Sequence, residues 1–124
     1  MRKEKIYYVP ELCVAYGTPQ ELSEGELKEM VSRIYPFDCA VYGYANGGFE
    51  GSGNLIYRKD GKYFHHDLSH CSCFGPIEKL YHDDLLGHPS LKKLQEKCSE
   101  ELTRDISPLI VKMREIRSKK RRNL

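Results

Sequence analysis

Residues 54–68, NLIYRKDGKYFHHDL, decide the fold. Asp60-Gly61 is a dipeptide that readily supplies the two positive φ angles of a type I′ turn, and it lies between two runs rich in β-branched and aromatic side chains. The stretch therefore reads as a β-hairpin. If Lys59 faces Lys62, then Tyr57 pairs with Phe64 and Leu55 with His66 on one face, while Arg58 pairs with Tyr63 and Ile56 with His65 on the other. The first of these faces is expected to be the core face.

Upstream, DCAVYGY (38–44) is a second aromatic-rich strand that runs into the turn residues Asn46-Gly47-Gly48. Before it the periodicity becomes helical. Leu27, Met30, Val31 and Ile34 recur at helical spacing, and Pro36 stops the chain from continuing. The start of that helix is read at Thr18 as N-cap, with Pro19 in the first helical position and Glu21 returning the capping hydrogen bond. Residues 5–16, with Ile6, Tyr7, Tyr8 and Val9 ahead of Pro10, read as a short strand or extended arm.

Downstream, Pro76 opens a pattern of Ile77, Leu80, Tyr81 and Leu85, which Gly87 ends. A further helix is expected from Pro89 to about Arg104, and Ser107-Pro108 is read as opening a last one. The sum is an α+β chain, residues 1–124 as one domain. Its small antiparallel sheet packs against an N-terminal helix and is followed by two to three C-terminal helices.

With 124 residues, 40% apolar and 31% charged, the chain can build one modest core and lies far from the composition of disordered proteins. Its formal net charge of +2 argues against an acidic mimic of DNA, so any affinity for nucleic acid must come from local clustering. Such a cluster stands at the end, where Arg114, Arg117, Lys119, Lys120, Arg121 and Arg122 could neutralise several phosphates. The plainer role of these cations is to complement the helix dipole and keep a terminus hydrated. No run approaches the ~18 apolar residues of a membrane span, and MRKEKIYYVPEL lacks a secretory signal's apolar stretch. A cytoplasmic setting is expected, with its five cysteines reduced.

HHDLSHCSCFGP (65–76) holds three histidines, an aspartate and two cysteines, the densest group of potential ligands and nucleophiles in the chain. His66, His70, Cys71 and Cys73 are candidate zinc ligands, because Zn²⁺ favours thiolate and imidazole. Cys71-x-Cys73 is tighter than the usual C-x₂₋₄-C pair, and His82, Asp83, Asp84 and His88 could supply a second pair. A catalytic reading takes Cys71 or Cys73 as thiolate, His70 or His65 as base and Asp67 as the orienting acid, which would make a metal- or cysteine-dependent hydrolase acting on a nucleotide. The bland reading is of histidines bonded within the sheet, His66 above all, and of inert thiols. In NGGFEGSG (46–53) the glycines could admit a phosphate, but they lead into a strand rather than a helix. Tyr44 and Phe49 beside that loop are candidate interface anchors, unless they fill the core.

Tyr42-Gly43-Tyr44, the glycine loop ending Glu50-Gly51-Ser52-Gly53, the Asp60-Gly61 hairpin, His66-Asp67 and Ser69-His70-Cys71-Ser72-Cys73-Phe74-Gly75-Pro76 form a pattern. It resembles small proteins of bacteriophages and other bacterial mobile elements, in which a similar loop precedes an HD…SHCSC-x-GP segment. The resemblance covers about residues 42–76 and leaves out the N-terminal helix and the basic tail. It implies a setting, not a mechanism: small proteins of such elements often act by binding and blocking host machinery, including CRISPR or other defence systems, and stoichiometric binding to a host protein or nucleoprotein complex is the function expected. The expected contact residues are Tyr44, Phe49, Arg117, Lys120, Arg121 and Arg122, with nucleic acid a possible partner of the basic helix, no membrane, and zinc a possible cofactor.

Overall fold

In the computed structural model, which describes residues 5–10, 18–46, 51–68 and 87–122, Asp60 and Gly61 both adopt positive φ, 53° and 77°. That geometry fits the type I′ turn, and it fixes the register of everything around it. The element order is β1 (Lys5–Tyr8), β2 (Thr18–Pro19), α1 (Glu24–Ile34), β3 (Cys39–Asn46), β4 (Gly51–Lys59), β5 (Lys62–Asp67), α2 (Leu91–Glu96) and α3 (Glu100–Arg122). Lys59 faces Lys62, Tyr57 faces Phe64 and Leu55 faces His66, as the turn requires. The fold class is α+β.

The sheet order is β1-β3-β4-β5, with β2 pairing to the far end of β3. The sheet is mixed rather than wholly antiparallel, because β1 runs parallel to β3, Lys5 opposite Cys39 through Tyr8 opposite Tyr42. A parallel pair cannot be closed by a hairpin, and α1 lies within the crossover that joins the two strands.

Both faces of the sheet are covered. On one, Ala40, Tyr42, Tyr44, Leu55, Tyr57 and Leu68 meet Leu22, Met30 and Ile34 from the α1 layer. On the other, Cys39, Val41 and Ile56 meet Leu91 and Leu94 of α2 and Ile106, Leu109, Ile110 and Met113 of α3. The single core face expected from the hairpin is therefore corrected to two, and Ile56 is as fully buried as Leu55. Side chains alternate along a strand, so an unbroken buried run at 53–57 is what a central strand between two helical layers must show.

Two helix boundaries also differ from the sequence reading. Helix α1 starts at Ser23, not Thr18: Ser23 Oγ accepts from the Glu26 amide at 3.2 Å, and Glu26 accepts in turn from the Ser23 amide at 3.0 Å. Thr18-Pro19 is taken by the sheet instead, and the next residue, Gln20, donates its N–H to the Tyr44 carbonyl at 2.9 Å. At the other end, Ser107-Pro108 opens nothing, since α3 is continuous through Pro108. The break falls earlier, between α2 and α3, where Ser99 Oγ caps the Leu102 amide at 3.1 Å. Leu102, Ile106, Leu109, Ile110, Met113 and Ile116 keep one helical phase across the proline, so packing outweighs the missing hydrogen bond. The carbonyl left without its usual donor is that of the exposed Arg104, where water can serve it.

Burial pushes the phenols of Tyr42 and Tyr44 above their ordinary range, although the Leu22 amide partly offsets this by donating to Tyr42 Oη at 3.2 Å. Gly53 sits opposite Tyr44, and a Cβ there would lie 2.4 Å from the Gly43 carbonyl oxygen. This glycine is thus demanded by the close approach of β3 and β4, not by a phosphate. Among the described residues, no helix is long and apolar enough to cross a membrane.

Candidate functional site

Strand alternation sends His65 and His66 to opposite faces of β5. His66 is 2% exposed and lies on the α1 side, its ring stacked on Tyr57 (centroids 5.5 Å apart, planes 4° apart) with Nε2 3.3 Å from Tyr57 Oη. Tyr57 also stacks on Phe64 at 5.0 Å. His66 is thus a core histidine with a satisfied polar edge, the plainer of its two expected roles. On the other face, the Asn54 carboxamide oxygen accepts from His65 Nε2 at 2.8 Å. An oxygen acceptor requires the proton on that nitrogen, so Nε2 of His65 offers no lone pair to a thiol. Asp67 is exposed at the end of β5, opposite Asn54 in register.

The partners proposed for these residues, His70, Cys71 and Cys73, lie outside the described residues, as do Phe49, His82, Asp83 and Asp84. Among the described residues, no group of three His, Cys, Asp or Glu side chains is placed to hold a metal ion. Tyr44, expected as a surface anchor, is 4% exposed in the α1-side core, so its ring has no free face for a partner. Cys98 lies beside an open depression lined by Glu100, Thr103, Arg104 and Ser107. Burial raises its thiol pKa, and its Sγ donates to the Leu94 carbonyl at 3.3 Å, the opposite of what an activated nucleophile needs.

The described residues do bring cations together elsewhere. Arg58 of β4, Lys92 of α2, and Arg114 and Arg117 of α3 line one groove of about 380 Å³ on the helix-paired side of the hairpin. Tyr63, Pro89, Ser90 and Leu91 complete its wall. Its construction follows from the fold. Tyr63 exchanges both backbone hydrogen bonds with His88 at 2.8 and 2.9 Å, which ties the start of α2 to the hairpin. Ser90 Oγ accepts from the Lys93 amide at 3.1 Å, and Leu91 and Leu94 anchor α2 in the core. Ile110 and Met113 seat α3, and Arg114 and Arg117 then project along the groove margin.

Three of the four cations keep their charge uncancelled by any described carboxylate. Among the described residues no carboxylate lines the groove, and none is paired with Lys92, Arg114 or Arg117. The nearby acids are taken by other lysines. Glu96 lies 3.5 Å from Lys93, and Glu115 lies 3.3 Å from Lys119 and 3.8 Å from Lys112. The hydrogen bond from Lys119, with Lys112 behind it, holds the Glu115 carboxyl below the usual range. Arg58 is different, since its Nη1 hydrogen-bonds Asp38 and its guanidinium lies 5.8 Å from the Tyr63 ring centroid. Its Nε is buried and has no hydrogen-bond partner among the described residues.

Of the expected contact residues, Arg117 joins this groove, and Lys120, Arg121 and Arg122 continue α3 beyond it. Arg58, Tyr63 and Lys92 were not singled out from the sequence as site residues. The available signal was the apolar-to-charged switch from Ile56 to Arg58 on one strand face, with Tyr63 paired opposite. Compared with family models, curated proteins and solved structures, the chain shows no significant match to any.

Proposed function

We propose that the protein acts by stoichiometric binding rather than turnover, engaging a host protein or nucleoprotein complex through the face built by the hairpin, α2 and α3. The observation that carries this reading is the convergence of Arg58, Lys92, Arg114 and Arg117 on one groove with no carboxylate among its described lining residues. Lys92, Arg114 and Arg117, unpaired among the described residues, supply steering and specificity toward an anionic partner, whereas the imidazoles of His65 and His66 hydrogen-bond within the sheet. The resemblance of residues 42–76 to proteins of bacteriophages and mobile elements supports a role in blocking host machinery. Inhibition of a bacterial defence system such as CRISPR fits that setting.

The test is retrieval of partners by the tagged full chain from a bacterial host, with and without nuclease treatment. The expected result is a host protein or nucleoprotein complex in stoichiometric amount, weakened when Arg121→Ala and Arg122→Ala are combined. Retrieval of neither protein nor nucleic acid, with the double variant behaving as wild type, would overturn the reading.

A further inference from the structure

We propose that the groove between the hairpin, α2 and α3 is a nucleotide-sized phosphate-ester site whose occupant is a single nucleic-acid strand. This deepens the binding reading and rests on it, since it names what the basic face takes. Its size is the first ground. About 380 Å³ is far more than one inorganic anion fills and falls within the range of small-ligand recesses, so the ligand must bring a body as well as a charge.

Its lining is the second ground. Arg114 and Arg117 are three residues apart on α3 and therefore neighbours on one helix face, and Lys92 approaches from α2. Two guanidinium forks and an ammonium, none neutralised by a described carboxylate, match a phosphate better than they match a neutral partner. The Tyr63, Pro89 and Leu91 portions of the wall offer ring and aliphatic surface to a sugar or base.

The third ground is that the cations are spread along the groove. Arg114 and Arg117 succeed one another along α3, with Lys92 reaching the groove from α2 and Arg58 from β4. Distributed positive charge suits a polymer carrying a phosphate at every step better than it suits one isolated carboxylate. One strand can lay a single nucleotide into a recess of this volume, whereas the bases of a duplex are stacked and paired and cannot enter it. The opposite layer has another character. On α1, Glu24 and Glu29 are paired with Lys28 and Arg33, and Glu26 is spent on the capping box, so a polyanion is directed to the α2/α3 side.

Fluorescence anisotropy of the full chain with a 5′-labelled single-stranded oligonucleotide of mixed sequence tests this. Arms with the matching duplex and with a labelled nucleoside monophosphate separate the sources of phosphate. The single strand should bind most tightly, with affinity falling as salt rises. Arg114→Ala with Arg117→Ala should weaken binding about tenfold or more and lower the salt slope by roughly 1.4, about 0.7 for each phosphate of a single strand that is no longer neutralised. Arg114→Lys with Arg117→Lys should retain most of the slope, and Lys28→Ala on α1 should change nothing. Thermal melting of each variant confirms that it is folded.

An unbound single strand, equal affinity for duplex or for the monophosphate, or wild-type binding by the double alanine variant overturns the proposal. If wild type fails to bind the strand yet still retrieves a nuclease-resistant host partner, the groove assignment falls and the binding reading survives.

Discussion

Ile56→Ala should lower the free energy of unfolding by about 2–5 kcal/mol, as much as Leu55→Ala on the adjacent position. The two side chains point to opposite faces of β4, and both are 0% exposed. Ile56 belongs to the core that Cys39, Val41, Leu94, Ile110 and Met113 make with it, where Cys39 Sγ and Met113 Sδ approach to 3.3 Å. Truncation there removes apolar packing and leaves a cavity that helices on one side and strands on the other can only partly close. A sheet with a single core face would give a lopsided result: a large loss for Leu55→Ala and well under about 1 kcal/mol for Ile56→Ala. Urea denaturation of both variants, with an unchanged dependence on denaturant, distinguishes the two architectures.

His66→Ala should cost about 2–4 kcal/mol, combining reduced burial with loss of the hydrogen bond between its ring and the Tyr57 hydroxyl. A double-mutant cycle isolates the second part. Once Tyr57→Phe has removed the hydroxyl, His66→Ala should cost roughly 1 kcal/mol less than it does in wild type. The loss should also be the same with and without chelator. If chelator alone destabilises wild type and spares the His66→Ala variant, His66 is a metal ligand and its description as a core histidine fails.

The register of the hairpin was legible because Asp60-Gly61 permits one pairing and strand alternation then assigns every side chain to a face, although β4 begins at Gly51, three residues before the run read as its start. Helix α1 was legible from its apolar stripe and from Pro36, but not in its first turn. Thr18-Pro19 and Ser23-Glu26 both look like caps, and only the pairing of Thr18 with Asn46 and the Gln20–Tyr44 hydrogen bond decides between them. These are long-range contacts that no local pattern contains. The same limit hid the second core face: Ile56, Arg58 and Tyr63 were placed together correctly, but nothing local says that α2 and α3 return to cover them. Pro108 misled because a proline that usually marks a helix start is carried inside α3 by the packing on either side of it.

The site was legible in parts. Arg114 and Arg117 could be seen as cations on a helix, and a helix end needs such cations for reasons unrelated to function. Their meeting with Arg58 and Lys92 depends on the docking of two helices to a hairpin, which composition and spacing do not encode. The density of the 65–73 segment drew attention to imidazole and thiol chemistry. Strand alternation already assigned His65 and His66 to opposite faces, and the other members of that segment, His70, Cys71 and Cys73, lie outside the described residues.

Amide chemical-shift mapping of the full chain during titration with a single-stranded oligonucleotide most directly tests where ligand recognition resides. Perturbations concentrated at 58–63, 90–92 and 114–117 are predicted. Perturbations centred on β5 residues 65–67 and the α1 layer, with those three segments silent, would contradict the placement of function on the α2/α3 groove.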